Sequence, residues 1–531
     1  MKNSTASGSD TINALVLKDI FPSIKRTLLH LVNLSLCSGI FPEVFKNTKI
    51  SPILKQGKDP LKPSSYRPVS NTCSIGKILE RCCFNQVMNH INNLRLINKK
   101  HHGGIKSHST TTCAIQIVDE AKTSLERNMK TAIMAIDLSC AYDLIDHAIL
   151  IEKCRLMSVG KTCLEWIKGF LCDRKQFVEL NGYKSKERSC GAEGVVQGGP
   201  SSGELFVIFL NNLPLEDIPA VNDAFKEMAS SNMFVDDHSS VISGKTEEEL
   251  NSNIKKEFSR IKKLLISHKM QINCSKTQLM YINPSVEQRT TPICLEEDAI
   301  MHQGQMRVLG FNLAADLKWD QHLCKGQTNM IKSLNAKNAM LRVVNKYVPM
   351  KDMSMVANNL INSTIVYGAP LWVTTSQENI DKIQKSQIKA ARIVLRTKWS
   401  KGFKTHRQML LQKLNWPNVR QIAEAAILNM VKRAITGNSS DGLNKMFKVI
   451  HPRLPRGKKS IKVHHRGKVN RQKSNFSAYA ADRFNNLPEE FRNPDITCKS
   501  FKRLIKVHTK TYCLLKQHLD QKTLPNQKCI Q

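Results

Sequence analysis

A short apolar run, Thr131-Ala132-Ile133-Met134-Ala135-Ile136-Asp137-Leu138, predicts a strand buried on both faces, with one carboxylate at its end. A second apolar stretch, Met233-Phe234-Val235, leads into Asp236 and Asp237 and then into His238-Ser239-Ser240-Val241-Ile242. This pattern predicts a strand, a tight turn carrying Asp236 and Asp237, and a return strand. Adjacent aspartates repel each other unless a cation sits beside them. Aspartate is also an ordinary turn residue, so the hairpin alone decides nothing. The matching carboxylate at the end of the upstream strand is what makes it informative.

Between and around these strands the pattern is mixed. Helical spacing predicts helices over 15–40, 75–98, 111–126, 147–157 and 163–172. Lys49 to Lys55 reads as a strand, followed by a loop over 56–63 that leads to Ser64 to Ser70; Lys55, Lys58, Lys62 and Arg67 in this region suit a phosphate-rich ligand. His101 to Thr110 reads as a loop, because its three histidines have neither a fixed helical spacing nor an accompanying carboxylate. Residues 175–180 alternate and meet Asn181-Gly182, a hairpin turn, with 184–190 as the partner strand. A glycine-rich stretch, Gly194 to Gly199, precedes a helix starting near Gly203. Thr246-Glu247-Glu248-Glu249 is a capping box opening a helix with Leu250, Ile254, Phe258, Ile261 and Leu265 on one face. Strands are expected over 276–282 and 307–313. Beyond about residue 320 long helical patterns dominate, over 322–344, 353–367, 380–396 and 417–436.

The chain has 531 residues and a net charge of +36, from 80 Lys plus Arg against 44 Asp plus Glu. Such a surplus points to a polyanion, nucleic acid first. Between Pro452 and Lys473 basic residues recur with no acid, a tract suited to phosphate backbone or nuclear import. No apolar run is long enough to span a bilayer, and the first residues lack a signal-peptide core. The expectation is an intracellular protein, in a cytoplasmic ribonucleoprotein and the nucleus, not secreted. The 16 cysteines have no zinc-site spacing and read as reduced thiols.

If the two aspartate-ending strands are neighbours in one sheet, their carboxylates converge. Two such carboxylates can hold a pair of metal ions that clamp a phosphoryl transfer. The ordered set of blocks resembles the reverse transcriptase of non-LTR (LINE-type, jockey/CR1-like) retrotransposons. Ile53-Leu54-Lys55-Gln56-Gly57-Lys58-Asp59, Tyr66-Arg67-Pro68-Val69-Ser70 and Lys77-Ile78-Leu79-Glu80 resemble the fingers blocks. Asp137-Leu138-Ser139 with Ala141-Tyr142-Asp143 resembles the first palm motif. Gly194-Val195 with Gln197-Gly198 resembles the glycine-loop motif, and Phe234-Val235-Asp236-Asp237 the metal-binding box. Asn273 with Lys276-Thr277, Leu309-Gly310, Tyr367-Gly368 with Trp372, and Phe484-Asn485-Asn486-Leu487-Pro488 continue the likeness.

The resemblance implies an α+β right-hand polymerase: fingers, a palm with an antiparallel sheet, a helical thumb, and a helical, basic C-terminal extension. The expected divisions are 1–44 N-terminal extension, 45–315 fingers and palm, 316–440 thumb and connection, and 441–531 basic region. It implies RNA-directed DNA synthesis with Mg²⁺ or Mn²⁺, from dNTPs, on template RNA and primer or target DNA, with no membrane partner. Asp137 and Asp236 would be the metal ligands, with Asp237 beside them as a third catalytic carboxylate. Arg67 and Lys55 would contact the triphosphate, and Tyr142 would exclude a 2′-hydroxyl. Gln197 and Gly198 would line the template–nucleotide pocket. Lys276 would protonate the pyrophosphate. The chain departs from the pattern at Gly203 (usually Pro), Glu204 (usually Leu), Cys140 (usually Lys) and Gly103-Gly104-Ile105-Lys106-Ser107 (usually Gly-Phe-Arg-x-Gly). Those departures keep open an alternative: a decayed, truncated remnant that only binds nucleic acid. No endonuclease domain or zinc knuckle is visible, so target cleavage in cis is not expected.

Overall fold

The computed structural model describes residues 7–55, 57–138, 141–213, 228–296, 298–397, 404–452, 460–465 and 476–507. The strands that frame the site are β1 (Asn47–Leu54), β2 (Tyr66–Asn71), β3 (Lys130–Ile136), β4 (Lys175–Leu180), β5 (Tyr183–Lys184), β6 (Arg188–Ser189), β7 (Ala229–Phe234), β8 (Asp237–Gly244) and β9 (Gln278–Tyr281). They make two sheets. In one, β1 lies between antiparallel β2 and parallel β4. In the other, all antiparallel, the order is β7-β8-β3-β9.

β3 runs through the middle of the second sheet, which explains its unbroken apolar run. Its alternate side chains enter two different cores, because successive residues of a strand point to opposite faces. Ile133 packs with Val241, Met280 and the helix Thr110–Glu126. Ala132, Met134 and Ile136 pack with Ile242, Phe206, Phe209 and the helix Glu247–Ser267. Thr246 caps that helix through Glu249, as the capping box predicts.

Local chemistry sets most turns. Asn181 and Gly182 both have positive φ, 50° and 85°, the conformation that joins β4 to β5. The predicted partner strand over 184–190 is broken into β5 and β6. The single strand expected over 307–313 is instead a hairpin, Gln305–Val308 with Phe311–Ala314, turning at Leu309 and Gly310, both at positive φ. The helix expected over 322–344 is divided. A wide helical turn, Gln321–Lys325, ends at Gly326, and Asn329 caps a new helix, Met330–Val344. Tyr66–Asn71, to which the sequence pattern assigns no element, is a strand because β1 supplies its ladder partner.

The later helices Met350–Val366, Gln377–Val394 and Val419–Ile435 pack around Trp372, Ile383 and Ile427. Tyr367 stacks on Phe311 at 4.7 Å, joining this helical half to the sheet half. Gly368, at φ 65°, lies where a side chain would collide with the Phe311 ring. Asn485 bonds both the N–H and the carbonyl of Val463 at 2.8 Å, tying a C-terminal hairpin to the helix Phe476–Asn485. The architecture is α+β: the four-stranded antiparallel sheet and the β1-centred sheet in one half, and a helical half after them. Most of the basic tract, at 453–459 and 466–475, lies outside the described residues, as do Ser139 and Cys140.

Candidate active site

β3 and β8 pair antiparallel, with Ile136 opposite His238. One step further along that register Asp137 comes beside Asp237. Sequence distance is therefore cancelled by strand pairing. The turn differs from the expected one. Val235 and Asp236 form it, and Asp237 is already the first residue of β8. Val235 has φ 58°, a backbone region costly for a β-branched residue.

Asp236 and Asp237 are exposed to the cleft and Asp137 is half-buried. Partial desolvation, then the Asp236 and Asp137 charges, push the Asp237 carboxyl up to about 6. Asp236 is also raised, by desolvation and by Asp137, against a lowering influence from Arg67. Tyr142 is pushed up to about 12 by desolvation and then by Asp236, and its ring packs on Phe206 at 5.2 Å. Asp137, Asp236, Asp237, Tyr142 and Arg67 are thus linked by their electrostatic influence on one another.

Lys276 Nζ donates to Asp137 Oδ2 at 3.0 Å, and the Asn273 N–H donates to the Asp137 carbonyl at 2.8 Å. The glycine loop is held from two sides. The Val195 N–H donates to Tyr142 O and the Gly194 N–H to Ile145 O, both at 2.9 Å. On the other side the Ser70 N–H donates to Gln197 O at 2.9 Å, and Gly198, at φ 96°, lies over Val69 and Ser70. Gln197 and Gly198 are therefore set beside the strand carrying Arg67. Lys55 Nζ donates to Ser64 O at 2.9 Å, across the adjoining loop.

Several further residues organise the site through contacts that the sequence does not state. Glu80, 2% exposed, accepts from the Ser201 N–H at 2.8 Å, where the helix Ser202–Phe209 begins. Burial pushes its carboxyl up to about 7, opposed by Ser201, Arg174 and Arg81. Arg81 pairs with Glu204 at 3.3 Å, so the acid standing where leucine is usual has a partner. His147 Nε2 lies 2.7 Å from Gly194 O. Only contact reveals these roles; an acid in the first turn of a helix, Glu204 in Ser202–Phe209, was the available signal.

Among the described residues no three His, Cys, Asp or Glu side chains are close enough to form a complete metal cage. The donor set still suits a hard divalent ion, which uses one or two carboxylates and fills its other positions with water and substrate phosphate. Desolvation and the neighbouring carboxylate charges raise Asp236 and Asp237, and a bound cation relieves that condition.

Residues 53–313 match the family model for reverse transcriptase (RNA-dependent DNA polymerase). The chain is 23% identical over 402 residues to the RNA-directed DNA polymerase from mobile element jockey of Drosophila melanogaster, covering 74% of this chain and 42% of that protein. Identity to the Drosophila funebris counterpart is 24%, covering 75% and 43%. Identity to the probable RNA-directed DNA polymerase from transposon X-element of Drosophila melanogaster is 23%, with the same coverages. The chain thus spans less than half the length of these relatives. A telomerase structure from Candida albicans, in complex with a fragment of telomeric RNA, superposes with a TM-score of 0.41 at 13% identity, covering 77% of this chain and 71% of that one. No helix among the described residues is long and apolar enough to cross a membrane. The pairing of the aspartate strands and the family match agree: residues 53–313 are a reverse transcriptase domain of the kind carried by non-LTR retrotransposon polymerases.

Proposed function

We propose that this chain is an RNA-directed DNA polymerase that extends a primer 3′-hydroxyl on an RNA template with dNTPs. The observation that carries this reading is the convergence of Asp137, Asp236 and Asp237 from distant strands into one cleft. Asp137 and Asp236 would hold Mg²⁺ or Mn²⁺, which when bound supplies charge neutralisation for phosphoryl transfer. Arg67 binds the triphosphate beside Asp236, with Lys55 near the same loop. Tyr142, backed by Phe206, forms a rigid floor under the sugar and leaves no room for a 2′-hydroxyl. Gln197 and Gly198 border the template–nucleotide pocket. The primer oxygen attacks the α-phosphate in line and pyrophosphate departs. Lys276, beside Asp137, is placed to donate a proton to that leaving group. The divisions 1–44, 45–315, 316–440 and 441–531 serve as extension, fingers and palm, thumb, and a basic region for nucleic acid.

Primer extension by purified protein on an RNA template, with Mg²⁺ or Mn²⁺, tests the reading. Extension by the wild type and none by Asp236→Asn is the expected result. Binding of primer–template without any extension would instead favour the remnant.

A further inference from the structure

The segment from Lys100 to Gly104, which the sequence leaves as a loop, is built into the edge of the catalytic hairpin. The His102 N–H donates to Met233 O at 2.8 Å, and the Met233 N–H donates to Lys100 O at 3.0 Å. His101 and Met233 thereby form a parallel bridge that extends the sheet beyond β7. The same segment reaches the helix that follows the glycine loop. His101 Nε2 lies 3.1 Å from Leu210 O, at the end of the helix Ser202–Phe209. Gly104, at φ 68°, lies against Gly203 and Val207. Both histidines are buried, and His102 Nδ1 is held by Thr112 Oγ1 at 3.0 Å. The segment is therefore clamped between the Asp236 hairpin and the glycine-loop helix.

Gly103 is the point of closest approach. A Cβ there would lie 2.4 Å from Val235 Cγ2, 2.6 Å from the Val235 nitrogen and 3.2 Å from the Phe234 carbonyl carbon. Two of those atoms are backbone of the turn that carries Asp236, so a side chain could not be accommodated by rotamer change alone. Val235 also occupies the left-handed region at φ 58°, a strained state that persists only where surroundings enforce it.

We propose that Gly103 is a positioning residue for nucleotidyl transfer: its lack of a side chain lets the 100–104 segment lie flat against Val235 and hold Asp236 at a set distance from the glycine loop. This rests on the polymerase reading above. Displacing reacting groups by about 1 Å can cost on the order of 100-fold in rate. Gly103→Ala is accordingly expected to lower kcat on the order of 100-fold, far more than any fall in the folded fraction, leaving primer–template Kd near wild type. Backbone amides of 233–237 should exchange hydrogen faster. Gly160→Ala is the control, because a Cβ there meets nothing within 4 Å. Should Gly103→Ala fold poorly, Gly103→Ala/Val235→Ala lacks the nearest clash, and its kcat should still fall below that of Val235→Ala alone. A wild-type kcat with unchanged exchange at 233–237 overturns the proposal. So does a loss of activity that only tracks the unfolded fraction. If wild-type protein does not extend a primer, the polymerase reading fails, and exchange at 233–237 still decides whether Gly103 holds the hairpin.

Discussion

Arg260→Met removes a buried charge while keeping most of the side-chain stem. Glu257, on the helix Glu247–Ser267, has a fully buried side chain. Its carboxylate accepts from Ser231 Oγ at 2.7 Å and Ser240 Oγ at 2.8 Å, one hydroxyl from each strand of the Asp236 hairpin. Arg260 adds two charge-assisted bonds, at 2.8 Å and 3.0 Å, and also donates to Leu213 O at 3.0 Å. Its side chain is only 16% exposed, so solvent screens the pair weakly. Removing one partner of a buried ion pair typically costs about 3–5 kcal/mol, because the other charge is left uncompensated. Glu257→Gln keeps an acceptor for the serines and should cost about 1–3 kcal/mol. The double variant should cost clearly less than the sum, with a coupling of roughly 0.5–3 kcal/mol. Urea unfolding followed by far-UV circular dichroism measures all three. A loss below about 1 kcal/mol for Arg260→Met, or additive single effects, would refute the claim that this ion pair underpins the hairpin.

In metal-free protein the raised Asp237 carboxyl favours its neutral form, so its contribution to stability is complete at low pH and is lost as pH rises through about 6. Asp237→Asn in EDTA should therefore gain stability relative to wild type at pH 7, gain less at pH 5 and gain little below about pH 3.8, the ordinary value of the group; an equal difference at all three pH values would contradict it. Polymerisation should run the other way and fall as the pH drops, with its midpoint below about 6 because a bound cation favours the ionised carboxylate. Tyr142→Ala should admit ribonucleotides while sparing DNA synthesis, read from the ratio of kcat/KM for the two nucleotide types; an unchanged ratio removes the gate. Deleting 453–473 should flatten the salt dependence of nucleic-acid binding, each lost phosphate contact reducing the slope by roughly 0.7–0.9. Single-nucleotide addition on a saturating primer–template should survive, and an unaltered slope would leave nuclear import as the better role for the tract.

The sequence by itself determined the features governed by neighbours along the chain. The unbroken apolar run 131–136 specified a strand buried on both faces. Asn181-Gly182 specified its turn, and Thr246 to Glu249 specified a helix start. Ordered motifs were enough to suggest a polymerase of this family, and the family match to residues 53–313 agrees. What only the tertiary structure decided depends on who meets whom. The register Ile136 opposite His238 brings Asp137 to Asp237, and no local rule states a register between strands so far apart. The strand Tyr66–Asn71 exists because β1 supplies its hydrogen bonds. Glu204 looked like damage until Arg81 was found beside it. Lys100 to Gly104 looked like a loop because its order comes from Met233, Leu210 and Thr112, all distant in the chain. Propensity and periodicity act over a few residues, whereas ion pairs, strand partners and close backbone approaches are set by packing, and it is packing that assembles this site.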